Sequence, residues 1–298
     1  MVVLQQLWDL REKVRQERPL VYNLTNNVVT NVTANILLAT GARPIMSEGA
    51  AEAEALARAA DALVLNIGTL HTRQITYFLK AGSYANEYGK PVVLDPVGVG
   101  ATPYRDITVK QLLGELKMTL IRGNYGEISY LAGSGGIVNG VDTASTELPL
   151  ESFKKFSVAT GAIVAATGKT DYVTDGQMLL ASQTGHEWLQ YVTGTGCALT
   201  SLMAAFTAVA QEETLLAATA AVAFYGAAAE KAAAKSKGPG SFGVKFIDAL
   251  YNLDFKDFRH YCAGKVQPAY EDSAKTAVED EPQADESEAA VDEKWMED

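Results

Sequence analysis

The sequence predicts an α/β fold: a mainly parallel sheet covered by helices on both faces, with antiparallel strands at one edge. Three observations predict it. Continuous β-branched runs alternate with segments of helical spacing, the pattern of buried parallel strands joined by crossover helices. Polar, glycine-bearing clusters follow these runs: "NLTNN", "NIGT", "DPVGVGAT", "RGNYGE" and "ATGKTD". After residue 167 the texture changes, and "DYVTDGQMLLAS" alternates around "TDG" as an antiparallel hairpin does.

Taken in order, "MVVLQQLWDLREKVRQERP" is amphipathic and charged and lacks the apolar segment of a signal peptide. "PLVYNLT" is a short apolar run, and "NNVVTNVTANILLATGA" has helical spacing ending at Gly41. "AAEAEALARAA" is a strong helix former, and "DALVLNIG" reads as a strand. "RQITYFLKAGSYANEYGK" is helical and closes near Gly89, before the apolar strand "PVVLDPVGVG". "ITVKQLLGELKM" is helical, "TLIRGN" a strand, "EISYLAG" a short helix and "GAIVAATG" a buried strand. The hairpin follows, then "VTGTGC" leading into one helix and an alanine-rich second. That second helix, "LLAATAAVAFYGAAA" followed by "EKAAAKSK", is shorter than the roughly 20 residues of a membrane span, so it reads as core. Right-handed crossovers place the carboxyl ends of parallel strands on one edge, where functional loops gather.

Composition sets outer limits. The chain has 298 residues, 48% hydrophobic and 20% charged, an ordinary globular balance. Two cysteines in a chain of this size read as reduced thiols of a cytoplasmic protein rather than a disulfide framework. Net charge is −11, but residues 271–298 hold twelve Asp or Glu and two Lys, a net of −10, which leaves −1 for the rest. The expectation is one domain over 1–268 and a solvated, disordered acidic tail over 269–298. A near-neutral body without basic stripes argues against nucleic acid, and no segment argues for a membrane.

The motifs carry chemistry of unequal weight. "ATGKTD" fails as a Walker loop, because the position five before Gly168 is Ile163 and not glycine. It reads as a strand-ending turn, and its "TG" at the carboxyl edge leaves backbone amides available to a phosphate. "VTGTGCALTS" is stronger: Gly194 and Gly196 permit close backbone approach, and the helix that follows offers free N–H groups and a positive dipole end to an anion. Cys197 stands at that join as a nucleophile, a base or a small core residue, and a helix N-terminus is expected to lower its pKa. Asp95 and Glu127 end two strands and suit either a hydrated Mg²⁺ shared with phosphates or helix capping, and Asn124 fits capping equally. Arg122 on the same edge suits a phosphate or an ion pair. Met46 reads as a core methionine by pattern. His71, His186 and His260 show no metal spacing and read as structural or exposed.

The motifs "YNLTNNVVTNVTAN", "GARPIMSE", "LVLNIGTL", "VVLDPVGVGAT", "IRGNYGEI", "ATGKTDYVTDG", "VTGTGCALTS" and "GPGSFGVKFIDALY" together resemble the hydroxyethylthiazole kinase family of the ribokinase-like superfamily, over roughly residues 4 to 255. The resemblance implies a ribokinase-like three-layer α/β/α sandwich, ATP as co-substrate, Mg²⁺, and phosphorylation of 4-methyl-5-(2-hydroxyethyl)thiazole in thiamine salvage. It implies a homotrimer with each thiazole pocket between two subunits. Met46 matches a thiazole contact lent to the neighbouring subunit, and Asn26, Val28 and Gly194 match further substrate contacts. Arg122 and Thr167 match nucleotide-phosphate contacts. Asn124 and Glu127 match the superfamily's metal motif, with Asp95 linked to the metal. The 194–197 loop, with Thr195 and Gly196, matches the anion hole, and Cys197 occupies the position where relatives often carry a catalytic aspartate. Other functions weighed are a ribokinase-like kinase for another small alcohol, a non-catalytic nucleotide or thiazole sensor, and a cysteine transferase using Cys197 with His186 as a base.

Overall fold

The computed structural model describes residues 3–133, 138–139, 142–143 and 149–269. The expected tail lies, from residue 270 on, outside the described residues.

Helix α1 (Leu4–Glu17) precedes β1 (Leu20–Leu24), α2 (Thr30–Thr40), β2 (Arg43–Met46) and α3 (Ala53–Ala59). The repeat continues with β3 (Ala62–Asn66), α4 (Thr72–Glu87), β4 (Val92–Asp95), α5 (Pro103–Glu115), β5 (Leu120–Asn124) and α6 (Tyr125–Leu131). Strands β6 (Val138–Asn139) and β7 (Asp142–Thr143) form a separate antiparallel pair before α7 (Leu150–Thr160) and β8 (Ile163–Thr167). Then come β9 (Asp171–Thr174), β10 (Leu179–Ser182), a 3₁₀ turn (Glu187–Tyr191) and α8 (Thr195–Val209). A second 3₁₀ turn (Gln211–Glu213) leads to α9 (Thr214–Ala233), α10 (Pro239–Asn252), α11 (Phe255–Cys262) and β11 (Val266–Pro268).

The main sheet runs β11-β10-β9-β8-β5-β4-β3-β1-β2. Pairs from β2 through β8 are parallel; β8-β9, β9-β10 and β10-β11 are antiparallel. Helices α3 to α7 neighbour one another on one side of the sheet, and α1, α2 and α8 to α11 pack together on the other. This is the expected three-layer sandwich with an antiparallel edge.

Strand periodicity then divides the α8 side of the sheet into a dry half and a polar rim. Val21, Ala62, Val64, Val93, Leu120 and Ala165 belong to one buried core with α8 and α9. Two residues further along the same strands stand Asn23, Asn66, Asp95, Arg122 and Thr167. Because these strands are parallel, all five polar positions fall at the carboxyl edge. The alanine run of α9 lies wholly inside, as its composition predicted: Ala217 to Ala221 and Ala227 to Ala229 are buried.

One helix begins later than its pattern suggests. The spacing allows a helix from Asn26, but α2 starts at Thr30. The Asn26 Oδ1 accepts the Val28 amide at 3.2 Å, a local side-chain turn that competes with helix.

Candidate functional site

The polar strand ends are wired together beneath the N-terminus of α8. Asn26 Nδ2 donates to Asn66 Oδ1 (2.9 Å) and reaches Cys197 Sγ (3.5 Å). Asn66 Nδ2 in turn donates to Asp95 Oδ2 at 2.8 Å. The same oxygen accepts Thr200 Oγ1 from α8 at 2.8 Å and faces Arg122 Nη1 at 4.0 Å. Arg122 Nη2 donates to the Thr167 hydroxyl. One continuous network therefore joins the loop after β1 to β3, β4, β5, β8 and α8.

The first turn of α8 supplies the anion cradle. Gly194 precedes it in a left-handed conformation (φ 89°), and a Cβ there would lie 2.7 Å from Val32 and 2.8 Å from Val29, so only glycine fits. The Thr195 hydroxyl and carbonyl are held by Leu189 O and Tyr225 Oη, both at 2.7 Å. Among the described residues the Gly196 and Cys197 amides take no hydrogen bond, the usual condition of first-turn N–H groups. A Cβ on Gly196 would sit 3.2 Å from Arg122 Nη1, so glycine lets the guanidinium come up against these free amides. Among the described residues Arg122 Nε is buried without a partner. Free amides, a helix terminus and an incompletely paired guanidinium together make a site for a multiply charged anion.

A second carboxylate lies beside Asp95. Asn124 and Glu127 form a capping box at α6: Asn124 Oδ1 accepts the Glu127 amide (2.9 Å) and Glu127 Oε2 accepts the Asn124 amide (2.8 Å). Glu127 Oε1 also accepts the Gly98 amide at 2.8 Å. The capping reading is therefore realised, and the carboxylate nonetheless faces the rim's other acid. Burial, then repulsion from Asp95, pushes the Glu127 carboxyl up to about 7. Burial likewise raises Asp95, against Arg122 and hydrogen bonds from Thr200, Asn66 and Cys197. Two buried acids with their pKa values raised mark a spot short of positive charge. The oxygen donors suit a hydrated Mg²⁺ completed by phosphates, and among the described residues no larger acidic cluster offers a closed cage.

Cys197 corrects one expectation. Burial, then the Asp95 carboxylate, pushes its thiol up to about 12, against help from Asn66, Arg122 and Asn26. It is a neutral thiol, not a stabilised thiolate. His186 is engaged elsewhere: it caps the 3₁₀ turn through Trp188 N and packs on Trp188 and Phe242.

Of the remaining candidates, Val28 is 65% exposed and Met46 ends edge strand β2, half-buried. Neither side chain takes part, among the described residues, in the hydrogen-bond network around Cys197. The "GKT" segment is the turn between β8 and β9, closed by Gly168 N on Asp171 Oδ1 at 3.0 Å and held by Tyr125 Oη on Thr170 O. Asn66 and Thr200 escaped the reading of the sequence, although Asn66 ends "LVLN" as Asp95 ends "VVLD". A cleft of about 780 Å³ lies at the opposite edge, against the strand-starting residues Pro91, Thr119 and Ile163. It shares no residue with the polar network.

An anion cradle and paired acids at the carboxyl edge of this sheet are the equipment of an ATP-dependent phosphotransferase of the ribokinase-like class. The fold agrees: a ribokinase-like superfamily protein from Enterococcus faecalis matches with TM-score 0.62 at 11% identity, covering 88% of this chain and 95% of that one. The hydroxyethylthiazole kinase family model matches residues 11–256. The hydroxyethylthiazole kinase of Carboxydothermus hydrogenoformans is 56% identical over 89% of this chain and 99% of its own. The structure of the hydroxyethylthiazole kinase protein from Pyrococcus horikoshii matches with TM-score 0.81 and 42% identity, covering 89% of this chain and all of that one. The chain belongs to the hydroxyethylthiazole kinase family.

Proposed function

We propose that this enzyme transfers the γ-phosphoryl group of ATP to the hydroxyl of 4-methyl-5-(2-hydroxyethyl)thiazole, and that the polar rim is where it does so. The observation that carries the proposal is the meeting of the free Gly196 and Cys197 amides with Arg122 and the Asp95–Glu127 pair. Phosphoryl transfer asks mainly for positioning and for neutralisation of spreading charge. Arg122 and Thr167 hold the nucleotide phosphates. Amides of the Gly194–Cys197 turn neutralise charge on the migrating group. Asp95, Glu127 and the Asn124 cap would hold Mg²⁺, which supplies charge neutralisation between the phosphates.

Asn26, Gly194 and Val28 border the alcohol's side of the rim, with the hydroxyl beside Cys197. Val28 is bare in the single chain, and Met46 lies on the edge strand. Both facts support a homotrimer in which a neighbour covers Val28 and lends Met46. The 1–268 portion acts as one kinase domain, and the setting is cytoplasmic. No described helix is long and apolar enough to cross a membrane.

Purified enzyme is expected to form ADP and thiazole phosphate in proportion when given Mg-ATP and the thiazole alcohol. Absence of thiazole phosphate at millimolar alcohol, with turnover of a pyrimidine or sugar alcohol instead, would transfer the site to another substrate. Ligand-induced stabilisation without any product would make the protein a sensor.

A further inference from the structure

We infer that Arg105 is a positioning residue for the phosphoryl-transfer rim, the clamp that holds two of its loops at a set separation. Its Nη1 donates to Ile67 O (2.5 Å) and Val97 O (2.6 Å), and its Nη2 to Gly68 O (2.8 Å). Ile67 and Gly68 follow β3, and Val97 follows β4. One half-buried guanidinium thus ties the carboxyl ends of neighbouring strands through three carbonyls. Among the described residues no carboxylate lies within ion-pair distance of it, so its charge is matched by carbonyl dipoles alone.

Both clamped loops reach the chemistry through their next polar contact. The Gly68 amide donates to Asn66 Oδ1 (3.0 Å), and Asn66 holds Asp95. The Gly98 amide, one residue past the clamped Val97, donates to Glu127 Oε1. The two carboxylates at the centre of the rim are therefore oriented by loops that Arg105 holds together. The clamp is itself braced. Thr102 caps α5, and Asp106 accepts the Gly100 amide (2.6 Å) and the Tyr130 hydroxyl (2.8 Å), which pins the first turn of α5 to α6. Gly98 is left-handed (φ 72°) and a Cβ there would meet the Arg105 side chain at 3.4 Å, so the loop closes directly on the guanidinium. A lysine cannot reproduce this, because a single ammonium does not span three carbonyls on two loops with a planar fork.

This inference rests on the kinase reading above, and its test separates the two. Arg105→Ala and Arg105→Lys are compared with wild type in melting temperature, in kcat and KM for the thiazole alcohol, and in calorimetric binding of ADP with Mg²⁺ and with EDTA. In Arg105→Ala, kcat is expected to fall between about tenfold and a hundredfold, the scale of a small misplacement of reacting groups, while KM for the alcohol changes by less than about threefold. The tighter binding of ADP with Mg²⁺ than with EDTA is expected to shrink by about fivefold or more, with Arg105→Lys between the two. Millimolar guanidinium is expected to restore part of kcat in Arg105→Ala and none in wild type. Variants that are folded at the assay temperature and keep wild-type kcat and Mg²⁺ preference would overturn the inference. Should Arg105→Ala not fold, Arg105→Lys decides by the same two measures. Wild-type protein without thiazole turnover would overturn the kinase reading instead, while the change in Mg²⁺ preference of ADP binding from wild type to the Arg105 variants would still judge Arg105.

Discussion

Cys197 stands in the first turn of a helix, where backbone dipoles favour a thiolate, yet its thiol is pushed up to about 12. Magnitudes explain why. A helix N-terminus contributes about 0.3–1 kcal/mol to a nearby anion, up to about 2 when partly buried. A rise from 9.0 to about 12 corresponds to about 4 kcal/mol acting the other way. Burial beside the Asp95 carboxylate outweighs the dipole. The thiol is therefore a poor base and a poor nucleophile, and a carboxylate in its place is the better base. Cys197→Asp is expected to keep or raise kcat; a folded Cys197→Asp enzyme with no turnover would restore the covalent alternative. Glu127 makes a second claim at this scale, in solution without metal. Its folded pKa of about 7 lies above the ordinary 4.5, so between those values the folded state holds a proton that the unfolded chain has lost. Stability from this group is thus full below about pH 4.5, falls as pH rises to about 7, and is level beyond. Melting in EDTA from pH 5 to 8 should show wild type losing ground against Glu127→Gln, and added Mg²⁺ should stabilise wild type more at pH 8 than at pH 5.5. Glu127→Gln should also lose most Mg²⁺-dependent turnover. Parallel melting curves, or unchanged kinetics, would remove Glu127 from the metal site.

Among elements, α8 is held at its start by geometry more than by capping. Among the described residues no side chain caps it; Gly194 turns the chain, and the start of α2 packs against that glycine through Val29 and Val32. Gly194→Ala must adopt a strained φ and push α2 aside, so the free amides of Gly196 and Cys197 move with it. Turnover is expected to drop by about tenfold or more, beyond what the loss in stability accounts for. Gly161→Ala serves as control: its φ is 66° and nothing lies within 4 Å, so it should cost about 1 kcal/mol of stability with turnover intact. Equal losses of activity in the two would mean that the α8 start has no special place in the site. The same helix shows what a sequence reveals and what it hides. The parallel strands, their helices, the β9–β10 hairpin and the glycine corner are local patterns, and they were legible. Strands β2 and β11 are too short and irregular to signal themselves, and they take shape by pairing with β1 and β10. Thr200 looks like any small helix residue until folding brings it to Asp95, 105 positions away. The thiol's pKa is hidden in the sequence for the same reason: the dipole is local, while burial, and then Asp95 from another strand, come only with folding.

At the scale of the whole molecule the edge strand β2 is the feature that asks for a neighbour. Among the described residues β2 pairs only with β1 and leaves one row of backbone groups without a strand partner, which a protein normally covers or blunts. Met46 ends that strand, Val28 lies at 65% exposure between β1 and α2, and Leu38 on α2 is 56% exposed. A cyclic assembly that packs this side against a neighbour would cover the apolar residues and place one chain's Met46 at the next chain's rim. Light scattering is expected to give three times the chain mass. The sharper prediction concerns whose pocket Met46 serves. Met46→Asp and Asp95→Asn proteins should each have little activity alone. If Met46 acts on the neighbouring chain, unfolding and refolding the two together creates pockets with an intact rim from one chain and an intact Met46 from the other. For equal amounts assorting at random, about a quarter of all pockets would be whole, and activity should rise toward that fraction of wild type. If Met46 served its own chain's rim, every pocket would keep one defect and mixing would restore nothing. A mixed assembly of trimer mass that stayed inactive would therefore remove Met46 from the neighbour's site while leaving the rim's own chemistry untouched.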